Sequence, residues 1–168
     1  MKRTNTGMSL AELLIVVCLL CIASSIALPA FSHFLQRNTL EALTEQLQGQ
    51  LAHARALSVA THRDVELCGT VDGSTCTSSW ERGWILRSPS TGLVISHHAI
   101  DVPRQLRWAG ASKKISFYPN GTTKMGNGRF YLCDRQGEVA WQLVLNKQGR
   151  IKRIRGLEKN QQASKPCG

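Results

Sequence analysis

Residues 7–31 read GMSLAELLIVVCLLCIASSIALPAF, an apolar run interrupted by one charge. Lys2 and Arg3 precede it, and Glu12 is its single charged residue. A helix rises about 1.5 Å per residue, so residues 13–31 would span roughly 28 Å, close to the thickness of a bilayer core. The sequence therefore predicts a membrane-spanning helix whose basic N-terminal flank stays on the cytoplasmic side.

Two ordinary interpretations compete with a specialised one. The stretch could be a secretory signal with Ser25-Ile26-Ala27 as its small-residue cleavage site, or a plain signal anchor. Neither of them requires a carboxylate at the front of the apolar run. Such a group costs roughly 2.5–3.5 kcal/mol at the centre of a membrane helix and less near its end, so Glu12 needs a specific reason.

The stretch resembles the class III signal of type IV pilins and type II secretion pseudopilins. The resemblance implies that a prepilin peptidase cuts between Gly7 and Met8, that the new N terminus is methylated, and that Glu12 becomes the fifth mature residue. It also implies that Glu12 pairs with the free amine of Met8 on a neighbouring subunit. Pro29 lies where pilins often carry a helix-loosening proline.

The apolar pattern continues beyond the predicted membrane segment. Between residues 32 and 62, apolar residues recur at steps of three and four, which predicts an amphipathic continuation of the helix. The stripe consists of Leu40, Leu43, Leu47, Leu51, Ala54 and Leu57. We therefore divide the chain into a leader (1–7), a transmembrane half-helix (8–31), an amphipathic half-helix (32–62) and a globular domain (63–168).

Residues 63–168 show short apolar segments separated by turn signals such as Pro119-Asn120-Gly121 and Asn146–Gly149. This pattern predicts an antiparallel β-sheet domain, and hence an α+β fold of one long N-terminal helix with sheets packed on its C-terminal half. The predicted strands cover residues 64–68, 83–87, 93–100, 105–108, 115–118, 129–133, 139–145 and 150–155.

The six cysteines fall into two groups. Cys18 and Cys21 lie inside the apolar run, and we interpret them as small apolar residues rather than a redox motif. The other four lie in the globular part, where an even number in an exported domain suggests two disulfides. Three pairings are possible; we favour Cys68–Cys76, closing a loop rich in Gly, Ser and Thr, and Cys133–Cys167, holding the C-terminal tail. A zinc site is the alternative, but its usual ligand spacings fit poorly.

The C-terminal half of the chain resembles one family within the wider group of pilins and pseudopilins. The run Ile115–Gly121, the segment Gly126–Cys133 and the segment Val144–Gly149 are similar to the FimT/GspH family of minor pilins and pseudopilins. The loop from Cys68 to Trp80 is similar as well. The resemblance implies a pilin-like fold over the whole chain, assembly with other pilin and minor pilin subunits, and an inner-membrane anchor with the globular domain in the periplasm.

The charge is concentrated near the C terminus. The chain carries a net charge of +10, and residues 147–165 hold seven cations and one acid, Glu158. The cations in this tail are Lys147, Arg150, Lys152, Arg153, Arg155, Lys159 and Lys165. Ile151 and Ile154 fall on opposite faces of a regular strand, so we expect a bulge or irregularity in this segment. A basic exported domain points to an anionic partner such as DNA, lipid or an acidic surface polymer.

The FimT branch of the family binds DNA through a Gly-Arg-x-Arg motif near its C terminus during natural transformation. The matching run here is Gly149-Arg150-Ile151-Lys152, with lysine in place of the second arginine. The resemblance thus implies sequence-independent phosphate contacts by Lys147, Arg150, Lys152, Arg153 and Arg155. The alternatives are a solvated face that protects an edge strand, and a purely structural pilin or pseudopilin that primes filament assembly.

The sequence offers no catalytic constellation. His97 and His98 are adjacent in a predicted strand and would point to opposite faces. The segment Gly126-Asn127-Gly128 is a turn rather than a phosphate-binding loop. We therefore expect a filament subunit that is not an enzyme and uses no cofactor or metal.

Overall fold

The computed structural model describes residues 10–101, 106–161 and 166–167. The leader residues Gly7 and Met8 and the tail residue Lys165 lie outside these ranges. The chain divides into two compact units, residues 1–38 and 39–168, which we describe separately. One helix, α1, extends from Leu10 to Thr61 and contributes residues to both.

In the first unit, α1 is long and apolar enough to cross a membrane by length and composition. Its large apolar side chains from Leu10 to Leu35 are exposed, as expected for a surface that faces lipid or other helices. Hydroxyl groups in this segment are satisfied locally, since Ser24 and Ser25 donate to the carbonyls of Cys21 and Ile22 at 3.0 and 2.7 Å. The segment remains helical through Pro29.

In the second unit, the predicted stripe of α1 forms one side of the core. Leu40, Leu43, Leu47, Leu51 and Ala54 are buried, and Leu57 packs against them at the edge. Thr44 is also buried and satisfies its hydroxyl by donating to the Leu40 carbonyl at 2.6 Å. The helix ends at Thr61.

In the described part of the chain nine strands follow the helix, and every pairing between them is antiparallel. They form one sheet in the order β3-β2-β1-β5-β6 and another in the order β4-β7-β8-β9. Short 3-10 turns cover Trp80–Arg82 and Lys159–Gln161. The strands are β1 Val65–Gly69, β2 Gly83–Arg87, β3 Val94–Ala99, β4 Leu106–Gly110, β5 Lys114–Phe117, β6 Thr123–Lys124, β7 Gly128–Cys133, β8 Val139–Leu145 and β9 Ile151–Arg155.

The two sheets share one hydrophobic core with the stripe of α1. Trp80, in the 3-10 turn before β2, packs edge-on against Phe130 of the second sheet with ring centroids 4.8 Å apart. Trp108, the neighbour of Phe130 in that sheet, lies with its ring centroid 4.4 Å from the same ring. The predicted α+β architecture is therefore confirmed, with each predicted strand present to within two residues at either end. Among the strands of the described residues, β6, two residues long, is the one that the sequence pattern does not predict.

Candidate functional site

The turn between β8 and β9 presents the first two cations of the basic segment. It is closed by backbone bonds from Asn146 N–H to the Arg150 carbonyl at 3.1 Å and from Gly149 N–H to the Asn146 carbonyl at 3.0 Å. The Asn146 side chain accepts from the Arg150 N–H at 2.9 Å. Because these bonds fix the backbone, the exposed side chains of Lys147 and Arg150 start from a defined position.

Glycine is the only residue type that fits at position 149 of this turn. Its φ of +73° lies in the left-handed region, and a Cβ there would collide with the carbonyl oxygen of Gly121. That oxygen accepts a hydrogen bond from Arg55 Nε at 3.0 Å, and the Thr123 N–H donates to the Lys147 carbonyl at 2.9 Å. The turn is therefore held against α1 and the β5–β6 turn.

The strand that carries the remaining cations is regular, so the expected bulge is wrong. The pairing of β9 with β8 runs without a shift from Leu145↔Ile151 to Trp141↔Arg155. Ile154 faces away from α1 yet is half-buried, because the C-terminal segment covers that side of the sheet. Both faces of this strand are thus partly covered, and an isoleucine on each face requires no irregularity.

The side chain of Arg153 forms contacts within the folded domain. Its guanidinium donates to Glu41 at 2.6 Å and to Glu45 at 3.3 Å, both on α1, and lies 3.9 Å from the centre of the Trp141 ring. The sequence alone predicts that Arg153 contacts phosphate together with its neighbours. The i, i+4 spacing of Glu41 and Glu45 places both carboxylates on one face of α1, but it does not indicate which cation of the tail they contact.

The other four predicted contact residues are exposed, and within the described part of the chain none of them forms an ion pair with a carboxylate. Arg155 lies 5.9 Å from the Trp141 ring, a half-buried aromatic that the sequence analysis did not assign to this region. Residues 150–155 extend over about 17 Å. The exposed cations, here called the basic edge, are Lys147, Arg150, Lys152 and Arg155.

After β9 the chain turns back over the outer face of its own sheet. Gln142, which is fully buried, donates to the Gly156 carbonyl at 2.6 Å and to Gln161 at 3.0 Å. It also accepts from Arg129 at 3.1 Å. The Arg129 guanidinium donates to Glu158 at 2.6 Å, and this hydrogen bond lowers the pKa of Glu158, with further help from the charge of Lys152.

Both disulfides have the favoured pairing. Cys133–Cys167 ties the C-terminal segment to the end of β7. Cys68–Cys76 closes the loop after β1. This loop is organised by Asp72, whose pKa is lowered chiefly by hydrogen bonds from the backbone of Thr75 and Ser74. Cys18 and Cys21 remain free thiols.

Two other titratable groups in the globular part, Glu66 and His98, form contacts within the fold. Glu66 is buried and accepts from Arg87 at 2.9 Å and from Lys114 at 2.5 Å. Burial raises the pKa of Glu66, but these hydrogen bonds outweigh it and leave the pKa lowered. His98 stacks on Trp84 at 4.3 Å, and burial lowers its pKa.

Of the three predicted processing and assembly residues, the structure describes Glu12. Gly7 and Met8 lie outside the described residues, and Glu12 lies in the first turn of α1. An acidic side chain at that position is favoured by the helix dipole.

Comparison with known proteins adds the following. The profile of the family described as "Type II transport protein GspH" matches residues 43–149. Among solved structures, the type IV minor pilin FimU of Pseudomonas aeruginosa PAO1 matches in two crystal forms. The first covers 80% of this chain and 99% of FimU at 23% identity with a TM-score of 0.55; the second covers 76% and 99% at 20% identity with a TM-score of 0.52. No curated protein matches the sequence.

Proposed function

Because the chain belongs to the FimT/GspH family of minor pilins and pseudopilins, we propose that it is a minor type IV pilin that binds DNA without sequence preference through its basic edge. Membership of this family implies assembly with other pilin subunits. In our proposal the subunit lies near the tip of the pilus and takes part in DNA uptake during natural transformation.

One observation carries the DNA-binding proposal. The basic edge places Lys147, Arg150, Lys152 and Arg155 on a hydrogen-bonded turn and an edge strand, with exposed side chains and no ion pair among the described residues. The nearest opposing charge is that of Glu158, which interacts with the charge of Lys152 and forms its ion pair with Arg129. Charged side chains on an edge strand discourage pairing with another strand, and Lys152 and Arg155 on β9 can serve that purpose. Lys147 and Arg150 lie on the turn before the strand, so that purpose does not account for them. Cations at such spacing along an extended strand can each displace a counterion from a phosphate, which favours binding at low salt.

The test is duplex binding by the full-length chain in a non-ionic detergent, measured across a salt series. Replacing Arg150, Lys152 and Arg155 by glutamine should weaken binding to every sequence and make the salt slope shallower by about 0.9 for each lost phosphate contact. A matched control removes the same charge from exposed cations elsewhere: Arg63, Lys113 and Arg135. If both triple variants lose the same affinity, only net charge matters and the assigned edge is wrong.

A second candidate is a purely structural minor pilin or type II secretion pseudopilin that primes filament assembly. The pairing of Arg153 with Glu41 and Glu45 favours it, because this part of the cluster serves packing rather than a ligand. Absence of duplex binding by the wild-type chain at low salt would support this candidate over DNA binding.

Anchoring and processing follow the same proposal. We infer that a prepilin peptidase cuts between Gly7 and Met8, that α1 holds the subunit in the inner membrane with the globular domain in the periplasm, and that Glu12 pairs with the amine of Met8 on a neighbouring subunit. Glu12→Gln should then leave membrane insertion intact and reduce the amount of subunit recovered in sheared filaments. Normal recovery of this variant would contradict the pairing.

A further inference from the structure

The C-terminal segment after β9 covers part of the sheet that carries the basic edge. We call residues 156–161 the strap; residues 162–165 lie outside the described part, and Cys167 beyond them is bonded to Cys133. Leu157 and Cys167 pack on a small apolar cluster separate from the main core, formed by Tyr131, Cys133 and Val139. The strap is thus attached at its start by packing and beyond its end by a covalent bond.

The middle of the strap is held by polar contacts. Glu158 forms an ion pair with Arg129 at 2.6 Å, and both side chains are about one-third exposed, at 33% and 29%. Beneath them, the buried amide of Gln142 bonds to Gly156 and Gln161 of the strap. The ion pair reaches solvent whereas Gln142 is fully buried, so an anion can compete for Arg129 first.

Arg129 belongs to the same surface as part of the basic edge. The register pairs Arg129 with Val144 on β8, and Val144 with Lys152 on β9. The two cations therefore lie in one row on the same face, two strands and about 10 Å apart. Glu158 is the acid that lies against this row, and it balances one positive charge there.

We propose that the strap is a displaceable cover and that Arg129 is a further phosphate contact, which becomes available when a DNA phosphate replaces the Glu158 carboxylate. This inference rests on the proposed DNA-binding function and adds to it a regulated fifth cation. In the absence of an anion, the ion pair and the hydrogen bonds of the buried Gln142 amide keep the strap closed, since opening would leave these groups without partners. The disulfide limits how far the strap can move and returns it to the same face.

The test compares Glu158→Gln with Asp101→Asn in the full-length chain, using duplex DNA across a salt series. Both changes remove one negative charge, but the exposed Asp101 follows β3 in the other sheet. Glu158→Gln should tighten binding by roughly two- to fivefold more than Asp101→Asn, because DNA no longer has to displace the Glu158 carboxylate. Its salt slope should equal that of the wild type, in which Arg129 also contacts a phosphate once the strap opens. Adding Arg129→Gln to Glu158→Gln should remove this gain and make the salt slope shallower by about 0.9, so that the ratio of affinities between about 50 and 200 mM salt falls about 3.5-fold.

A second measurement follows the strap itself. On addition of duplex DNA to the wild-type chain, amide hydrogen exchange in residues 156–161 should accelerate while exchange in β7 stays slow. Equal affinities for the two single variants, or a strap that exchanges more slowly with DNA, would overturn the proposal.

The outcomes separate this inference from the function on which it rests. If the wild type binds DNA and Glu158→Gln behaves like Asp101→Asn, the strap proposal fails alone. If the wild type does not bind but Glu158→Gln binds in an Arg129-dependent way, the cover is real and the assignment of the basic edge fails. If no variant binds, both proposals fail.

Discussion

Replacing Gly149 by alanine should destabilise the globular part by about 2 kcal/mol more than replacing Gly92 by alanine. Both glycines lie in turns between antiparallel strands, with nearly equal φ values of +73° and +71°. The strain of a left-handed alanine, roughly 1–2 kcal/mol, is therefore common to the two variants and cancels in the comparison. The difference lies in the space around the new methyl group: nothing is within 4 Å at Gly92, whereas Gly149 faces the Gly121 carbonyl oxygen.

The additional cost at Gly149 follows from what the methyl group must displace. The Gly121 carbonyl is held by Arg55 Nε, and the Gly121 N–H donates to the Tyr118 carbonyl at 2.8 Å, so this turn cannot retreat without losing hydrogen bonds. Overpacking a site of this kind typically costs about 1–3 kcal/mol. The collision would also shift the turn that positions Lys147 and Arg150.

The assay is equilibrium unfolding of the full-length chain in urea, followed by tryptophan fluorescence. All four tryptophans lie beyond residue 62, so the signal reports the globular part. Gly149→Ala should also weaken duplex binding, and Gly92→Ala should not. Free energies of unfolding that agree to within about 0.5 kcal/mol for the two variants would refute the argument from packing.

Three further predictions concern charges and a covalent bond in the globular part. Arg153→Ala should lower the free energy of unfolding by about 1–2 kcal/mol, because it removes two solvent-screened ion pairs and the contact with Trp141. The salt slope of DNA binding should not change in this variant. A shallower slope would show that Arg153 contacts a phosphate. Glu66→Gln should cost roughly 1–3 kcal/mol near neutral pH. Because the pKa of Glu66 is lowered in the folded state, its contribution to stability is present above its ordinary pKa of 4.5 and is lost as pH falls through the lowered value. The free energies of unfolding in urea of the wild type and the variant should therefore converge between pH about 7 and 3. A difference between them that stays constant with pH would contradict this. Replacing Cys133 and Cys167 by serine should speed hydrogen exchange in residues 156–161 more than in β1; uniform acceleration would mean that the bond supports the whole domain instead.

The sequence predicted the framework because apolar spacing reports burial directly. The stripe from Leu40 to Ala54 is buried as its period requires, and the strands follow the alternation and turn signals. The favoured disulfide pairing was also correct, since each bond joins residues that a short loop or the terminal segment can bring together. These features depend on local patterns, which a single sequence contains.

The details of the basic segment depended on contacts distant in sequence. Arg153 meets Glu41 and Glu45 across more than 100 residues, and no local pattern distinguishes it from Arg155. The expected bulge rested on the assumption that one face of β9 is solvated. That assumption failed because the strap covers the outer face near Ile154, and a strand covered on both sides can be apolar on both.

The different surroundings of Arg153 and Lys152 also explain why a lysine at position 152 is compatible with the proposed function. Arginine is required where a planar fork must meet fixed acceptors, and Arg153 occupies such a place between two carboxylates and an indole ring. Lys152 points outward from the edge strand and is exposed. A sequence-independent phosphate contact asks only for a mobile positive charge, which lysine supplies as well as arginine. The substitution therefore falls at the position where the guanidinium geometry matters least, and the second member of the motif can change without removing the charge on which binding would depend.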